Sequence, residues 1–193
     1  MKQFLFFALS LFCVCNCFAQ TDAQTFQQKL QRANAGDCQA QFYVAWCYET
    51  GSGTELDLYE AFKWLKKAAE CGVVKAQAAL GCYYYNGWGT SIDYNQAVHW
   101  SKKAADQNNA QGQFDLGCCF LYGNGVRQDY KVAFELMHKA ALQGYSLAFY
   151  AVGYCYQYGQ GTSVDLAKAR EWYEKGAANN DAKAIRQLEM LDK

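Results

Sequence analysis

The chain has 193 residues, enough for one domain or one array of repeats, and its 18 basic and 18 acidic side chains cancel. Proteins that grip nucleic acid carry a basic excess, because neutralised phosphates drive that binding, so the balance argues against a nucleic-acid, polyanionic or membrane-surface partner. Proline is absent and cysteine is abundant, with ten residues.

The first 19 residues differ from the rest. Lys2 gives a positive start, an apolar run follows from Phe4 to Phe12, and Cys17-Phe18-Ala19 ends it with small residues at the two positions a signal peptidase reads. This pattern predicts a secretory signal (1–19) cut after Ala19, and so a secreted or periplasmic protein. An uncleaved anchor is the competing reading. The run is too short to span a membrane, and no later stretch reaches the roughly 18 apolar residues a span needs. Cleavage would leave seven cysteines: Cys38, Cys47, Cys71, Cys82, Cys118, Cys119 and Cys155. Such density in an exported protein suggests disulfides, and the odd number leaves at least one thiol unpaired or paired between chains.

After a short leader, Phe26 to Ala35 has the register of a lone second helix of the repeat that follows, which makes 20–37 an N-terminal cap. The repeat itself is carried by paired glycines: Gly51 and Gly53, Gly87 and Gly89, Gly123 and Gly125, Gly159 and Gly161, each pair 36 residues after the last. Asp57, Asp93, Asp129 and Asp165 keep the same period, as do Ala61, Ala97, Ala133 and Ala169. Trp64, Trp100, Leu136 and Trp172 fill a large apolar column between them. Four repeats follow, 38–73, 74–109, 110–145 and 146–181, with a C-terminal capping helix over 182–193.

Each repeat reads as two helices. Helix A of the first repeat runs from about Cys38 to Thr50, with Ala40, Val44, Ala45 and Tyr48 on one face. The glycine after it suits a left-handed cap. Helix B starts at the aspartate; Asp57 with Glu60, and Asp93 with Gln96, have capping-box spacing. Ala61, Trp64, Leu65 and Ala68 form its inner side. A single hairpin cannot bury such a face alone, whereas stacked copies can.

The motif Ala76-x-x-x-Leu80-Gly81-x-x-Tyr84-x-x-Gly87-x-Gly89, then Asp93-Tyr94-x-x-Ala97-x-x-Trp100-x-x-Lys103-Ala104-Ala105, resembles the Sel-one-like repeat family, a relative of the tetratricopeptide repeat. The longer period and the Gly-x-Gly loop favour this class over the tetratricopeptide's period of about 34 residues. The resemblance implies an all-α fold, a right-handed α/α solenoid, and scaffold or adaptor work, although fold alone does not fix function. The cysteine content also resembles the family's secreted, cysteine-rich branch, in which disulfides tie the two helices of a repeat together. Some members of that branch are described as penicillin-binding or β-lactamase-like.

The residues weigh against catalysis. None of the six serines has a lysine three positions on, so the Ser-x-x-Lys nucleophile motif is missing. His99 and His138 lie on columns otherwise filled by Lys, Glu or Ser, and are expected at the surface. No Cys-x-x-Cys pair suggests a metal, and the glycine pairs follow a helix rather than a strand, as caps do and phosphate loops do not. No cofactor and no metal is expected.

By resemblance to tetratricopeptide grooves, one face of the A helices lines a concave surface. Its members here are Phe42, Trp46 and Glu49; Ala78, Cys82 and Tyr85; Phe114, Cys118, Leu121 and Tyr122; Tyr150, Tyr154, Gln157 and Tyr158. The set is rich in tyrosine and apolar residues, the composition of a binding hot spot. A protein or peptide partner held in this groove is the leading functional reading. A penicillin-binding, peptidoglycan-binding or β-lactamase-like protein is the alternative.

Cys38 opens helix A and Cys71 closes helix B of the first repeat, and in an antiparallel pair those ends lie side by side, within reach of a disulfide. Both could instead be free thiols. Cys82 with Cys118 and Cys119 with Cys155 face the wider gap between stacked helices, and a staggered Cys47–Cys82 pair is a further option.

Overall fold

The computed structural model describes residues 22–192, and among these there is helix, turn and loop but no strand. The expected signal segment, 1–19, lies outside them. Residues 22–34 are helical (α1). There follow α2 (Cys38–Thr50), α3 (Leu58–Glu70), α4 (Val74–Asn86), α5 (Tyr94–Asp106), α6 (Ala110–Tyr122), α7 (Tyr130–Leu142), α8 (Ser146–Tyr158), α9 (Leu166–Ala178) and α10 (Ala182–Leu191). Helices A and B alternate at the period of the sequence columns, the α/α-solenoid fold class expected from them.

The columns act locally. Asp57, Asp93, Asp129 and Asp165 are the N-caps of α3, α5, α7 and α9, and each carboxylate accepts from backbone N–H groups of the first turn. Their own N–H groups donate to the carbonyls of Tyr48, Tyr84, Phe120 and Tyr156, which closes every A-to-B loop in the same way. Gly161 shows why the second glycine of each pair is needed. Its φ is +74°, and a Cβ there would overlap the Tyr130 carbonyl at the start of α7.

The chain forms two compact units. The first contains α1 to α3, the chain through Ala76, and Trp88–Thr90. Phe26 of α1 is buried with its ring edge-on to Tyr48, centroids 5.4 Å apart. Ala45 and Ala61 are buried on facing helices α2 and α3, and Trp64, Leu65 and Ala68 are buried on α3. A disulfide joins Cys38 to Cys71, with Cα atoms 6.0 Å apart.

The second unit contains Gln77–Gly87 and the chain from Ser91 onward. Gly81, Gly117 and Gly153 of the A helices lie on Ala97, Ala133 and Ala169 of the B helices, where a Cβ would come within 3.2 Å of the alanine carbonyls. Small residues therefore set how closely the paired backbones approach. Gly176 of α9 packs closely on α10 in a different way, since a Cβ there would come within 2.7 Å of the Ala184 methyl. Met137, Val152, Phe149 and Trp172 fill the core around α7 to α9, and Tyr173 is fully buried beneath α10, its hydroxyl donating to Gln157 at 2.6 Å.

Two expectations need correcting. His138 is half-buried, with Phe134 stacked on it at 5.4 Å and Trp172 edge-on at 5.5 Å, because its column here faces two large aromatic neighbours. Burial, then the nearby Lys175, lowers its pKa. His99 is exposed, as expected. Ala78 is buried, unlike Phe42, Phe114 and Tyr150 of its column, since its single methyl ends inside the surface that the longer side chains reach.

Candidate functional site

The predicted groove residues fall into both units. In the first, Phe42 is half-buried and Trp46 is 43% exposed on α2, with Tyr43 5.6 Å from the Trp46 ring and the Lys29 ammonium over the Tyr43 face. In the second, Tyr85 is half-buried and held in place, its hydroxyl accepting from Asn124 at 3.0 Å and its ring edge-on to Tyr94.

The remaining residues meet at one place. A cavity of about 880 Å³ lies in the second unit, lined by Phe114, Leu121, Tyr122, Tyr150 and Tyr154. Tyr158 is 51% exposed and extends this wall, its ring 4.5 Å from that of Tyr154, which is in turn 6.1 Å from Tyr150. The three tyrosines lie one helical turn apart on α8, so they form a continuous aromatic strip. Phe114 is propped by Tyr145 at 5.4 Å and Tyr150 by Tyr173 at 5.9 Å, contacts that fix the rings from behind.

Polar groups that sequence reasoning did not single out complete the cavity. Asn179, Asn180 and Asp181, in the turn between α9 and α10, also line it, and Lys183 stands with its ammonium 5.7 Å from the Tyr150 ring centre. Gln128, Tyr130 and Gln160 come from loops and from the start of α7. Asn180 holds a left-handed backbone, φ +61°, at the point where Gly36, Gly72 and Gly144 stand in the same turn elsewhere. That periodic departure was visible in the sequence. Its place beside the tyrosine strip was not, because it depends on how α10 docks.

The lining is mostly aromatic, apolar and amide, with Asp181 and Lys183 as its charged side chains. Burial pushes the Cys118 thiol on the cavity wall up to about 12, with smaller contributions from Asp115 and the neighbouring Cys119 and Cys82. The Cys119 and Cys155 thiols rise to about 11, burial again being the main cause. All three stay protonated at neutral pH and are poor nucleophiles. Neither histidine lines the cavity. Among the described residues, no cluster of three or more His, Cys, Asp or Glu side chains could hold a metal, and no helix is long and apolar enough to cross a membrane.

Known proteins fit this architecture. The family model described as Sel1 repeat matches four times, over residues 38–73, 74–109, 110–145 and 146–181. A Sel1 repeat protein from Oxalobacter formigenes is 31% identical with a TM-score of 0.82, over 89% of this chain and 68% of that one. A protective antigen of uropathogenic Escherichia coli with an SLR fold is 37% identical with a TM-score of 0.77, over 84% of this chain; the chain spans 35% of that protein's length. Cysteine-rich protein B of Helicobacter pylori shares the fold at 23% identity and a TM-score of 0.51, over 67% of this chain and 93% of that one. No curated protein matches the chain. With four contiguous copies of the repeat, each folded as a helical pair, the chain belongs to the Sel1-repeat family.

Proposed function

We propose that this protein is an extracytoplasmic binding scaffold that holds an extended peptide, or a helix of a partner protein, in the aromatic cavity of its second unit. The observation that carries this reading is that Phe114, Leu121, Tyr122, Tyr150 and Tyr154 line one cavity together with the amide side chains of Gln128, Gln160, Asn179 and Asn180. Rigid aromatic rings offer large contact area at little entropic cost, and amides can pair with a peptide backbone. The Cys38–Cys71 disulfide supports a secreted or periplasmic site of action, since such bonds persist in oxidising compartments. Phe42, Trp46 and Tyr85 belong to the same A-helix face and would contribute contacts outside the cavity. Membership of the Sel1-repeat family supports a scaffold over an enzyme.

The test is a peptide array probed with oxidised protein, alongside a nitrocefin assay. The scaffold reading expects sequence-dependent array binding and no nitrocefin turnover. Turnover without array binding would favour the β-lactam or peptidoglycan alternative.

A further inference from the structure

The groove face does not end at α8. Arg186 on α10 stands 36 residues after Tyr150, so it continues the column that Phe42, Ala78, Phe114 and Tyr150 fill on the A helices. α10 docks in that register: Gly176 meets Ala184 at the same columns where Ala104 of α5 meets Gly112 of α6. Arg186 is therefore level with Tyr150, one helix along, and a cation takes the place of the column's aromatic ring. Lys183, three residues earlier, shares its face.

Both cations border space that a ligand could enter. Lys183 lines the aromatic cavity, and a recess of about 420 Å³ adjoins it on the α10 side, lined by Tyr150, Ala182, Lys183, Arg186 and Gln187. Tyr150, Ala182 and Lys183 belong to both. Lys183 and Arg186 are exposed, and among the described residues no ion pair joins either to an acid. Asp192, at the far end of α10, is paired with Arg170 at 2.6 Å, and Glu189 is exposed. Asp181, the acid of the cavity lining, is the N-cap of α10 and accepts from the backbone N–H groups of Lys183 at 2.8 Å and Ala184 at 3.5 Å. Uncommitted positive charge thus stands on one flank of an aromatic groove whose lining acid is occupied as a helix cap.

We infer that Lys183 and Arg186 select an aspartate or glutamate side chain in the segment bound along the tyrosine strip. This rests on the peptide-binding reading above. A segment laid along Tyr150, Tyr154 and Tyr158 follows α8, and cations level with Tyr150 meet it from the side, where a side chain rather than a chain end projects. A carboxylate there gains two charge-assisted partners, and the Arg186 guanidinium has the fork to hold both of its oxygens. The pairs lie at a solvent-exposed rim, so the gain is modest and sensitive to salt.

The experiment uses pools of capped heptapeptides with the central position held as Glu, Gln, Ala or Lys and the rest random, and one further Ala pool with its C-terminal carboxylate free. Binding is measured in low and high salt to wild type, Arg186→Glu, the double variant Lys183→Gln with Arg186→Gln, and Tyr154→Ala, with melting temperatures in parallel. We expect the Glu pool to bind wild type about fivefold tighter than the Gln pool in low salt, and the lead to vanish at about 1 M salt. The double variant should lose the lead, keep wild-type affinity for the Gln pool, and melt with wild type, since both side chains are exposed. Arg186→Glu should favour the Lys pool over the Glu pool. Equal binding of the Glu and Gln pools to wild type, with Tyr154→Ala still weakening both, would overturn the acid preference and leave the cavity as the binding site. A Glu lead that persists in the double variant would overturn the role of these two cations. A lead of the free-carboxylate pool alone would assign them to a chain end and overturn the side-chain assignment. Absence of binding by every pool would overturn the peptide-binding reading and this inference with it.

Discussion

Cys38 and Cys71 are bonded at the same point of the first repeat where Gln107 donates to Gln77 in the second and Gln143 donates to Gln113 in the third, both at 2.7 Å. In each case the end of helix B clasps the first turn of its own helix A. The clasp is covalent in the first repeat and an amide pair in the next two. Closing a loop of 33 residues removes chain entropy from the unfolded state, worth about 3–4 kcal/mol. Reduction with dithiothreitol should therefore lower the unfolding midpoint and speed amide exchange in α1 and α2. An unchanged midpoint would show that the bond contributes nothing to folding.

The amide clasps should matter for a different reason. Gln113 is buried, 4% exposed, and it also donates to Asn108 at 2.9 Å. Gln143→Ala would leave the buried Gln113 oxygen without its donor. The expected cost is about 1–3 kcal/mol by urea unfolding, the penalty for stranding a buried polar group.

The face assignment of helix B predicts a contrast between neighbours. Trp100 is 6% exposed, with the Lys103 ammonium over its ring at 4.5 Å, and Trp100→Ala should cost about 3–5 kcal/mol. His99 is exposed, and His99→Gln should change stability by no more than about 0.5 kcal/mol. Similar shifts in melting temperature for the two would contradict the packing described.

Asp115 makes stability depend on pH with a defined sign. Its folded pKa of about 7 lies above the ordinary 3.8. Between these values the folded state holds a proton that the unfolded chain has released, so stability falls as pH rises from about 4 to 7. His138 acts oppositely, since its pKa is lowered from 6.5 and its contribution is lost as pH falls through that value. The difference between wild type and Asp115→Asn isolates the acid. The two should be nearly equally stable at pH 3.5, and the variant more stable at pH 8, by up to about 4 kcal/mol. A variant less stable at pH 8 would mean that the carboxylate is paired.

Repeat period, helix bounds and the first-repeat disulfide were legible because each depends on local spacing. Asp57 and its counterparts cap helices through contacts two or three residues away, and Cys38 meets Cys71 wherever an antiparallel pair forms. The cavity was legible only in part. Phe114, Tyr150 and Tyr154 could be placed on a common face through the resemblance to tetratricopeptide grooves. The turn Asn179–Asp181 and Lys183 could not, because their approach to Tyr150 is set by Gly176 packing on Ala184. Asp115 was passed over because an acid in a helix reads as solvent-facing, and only packing shows it desolvated. His138 failed for the same reason: its column is polar elsewhere, and the neighbours that cover it come from Phe134 and Trp172.

The central claim is that the tyrosine strip of α8 is a binding surface rather than core. Calorimetric titration of the strongest array peptide into wild type and Tyr154→Ala tests it most directly, with unfolding measured on the same samples. Tyr154 is half-buried, between Tyr150 and Tyr158. The account predicts that the substitution weakens binding by about 2 kcal/mol or more, roughly thirtyfold in Kd, while the melting temperature stays close to that of wild type. Unchanged affinity, or a protein that unfolds on losing this one ring, would contradict it.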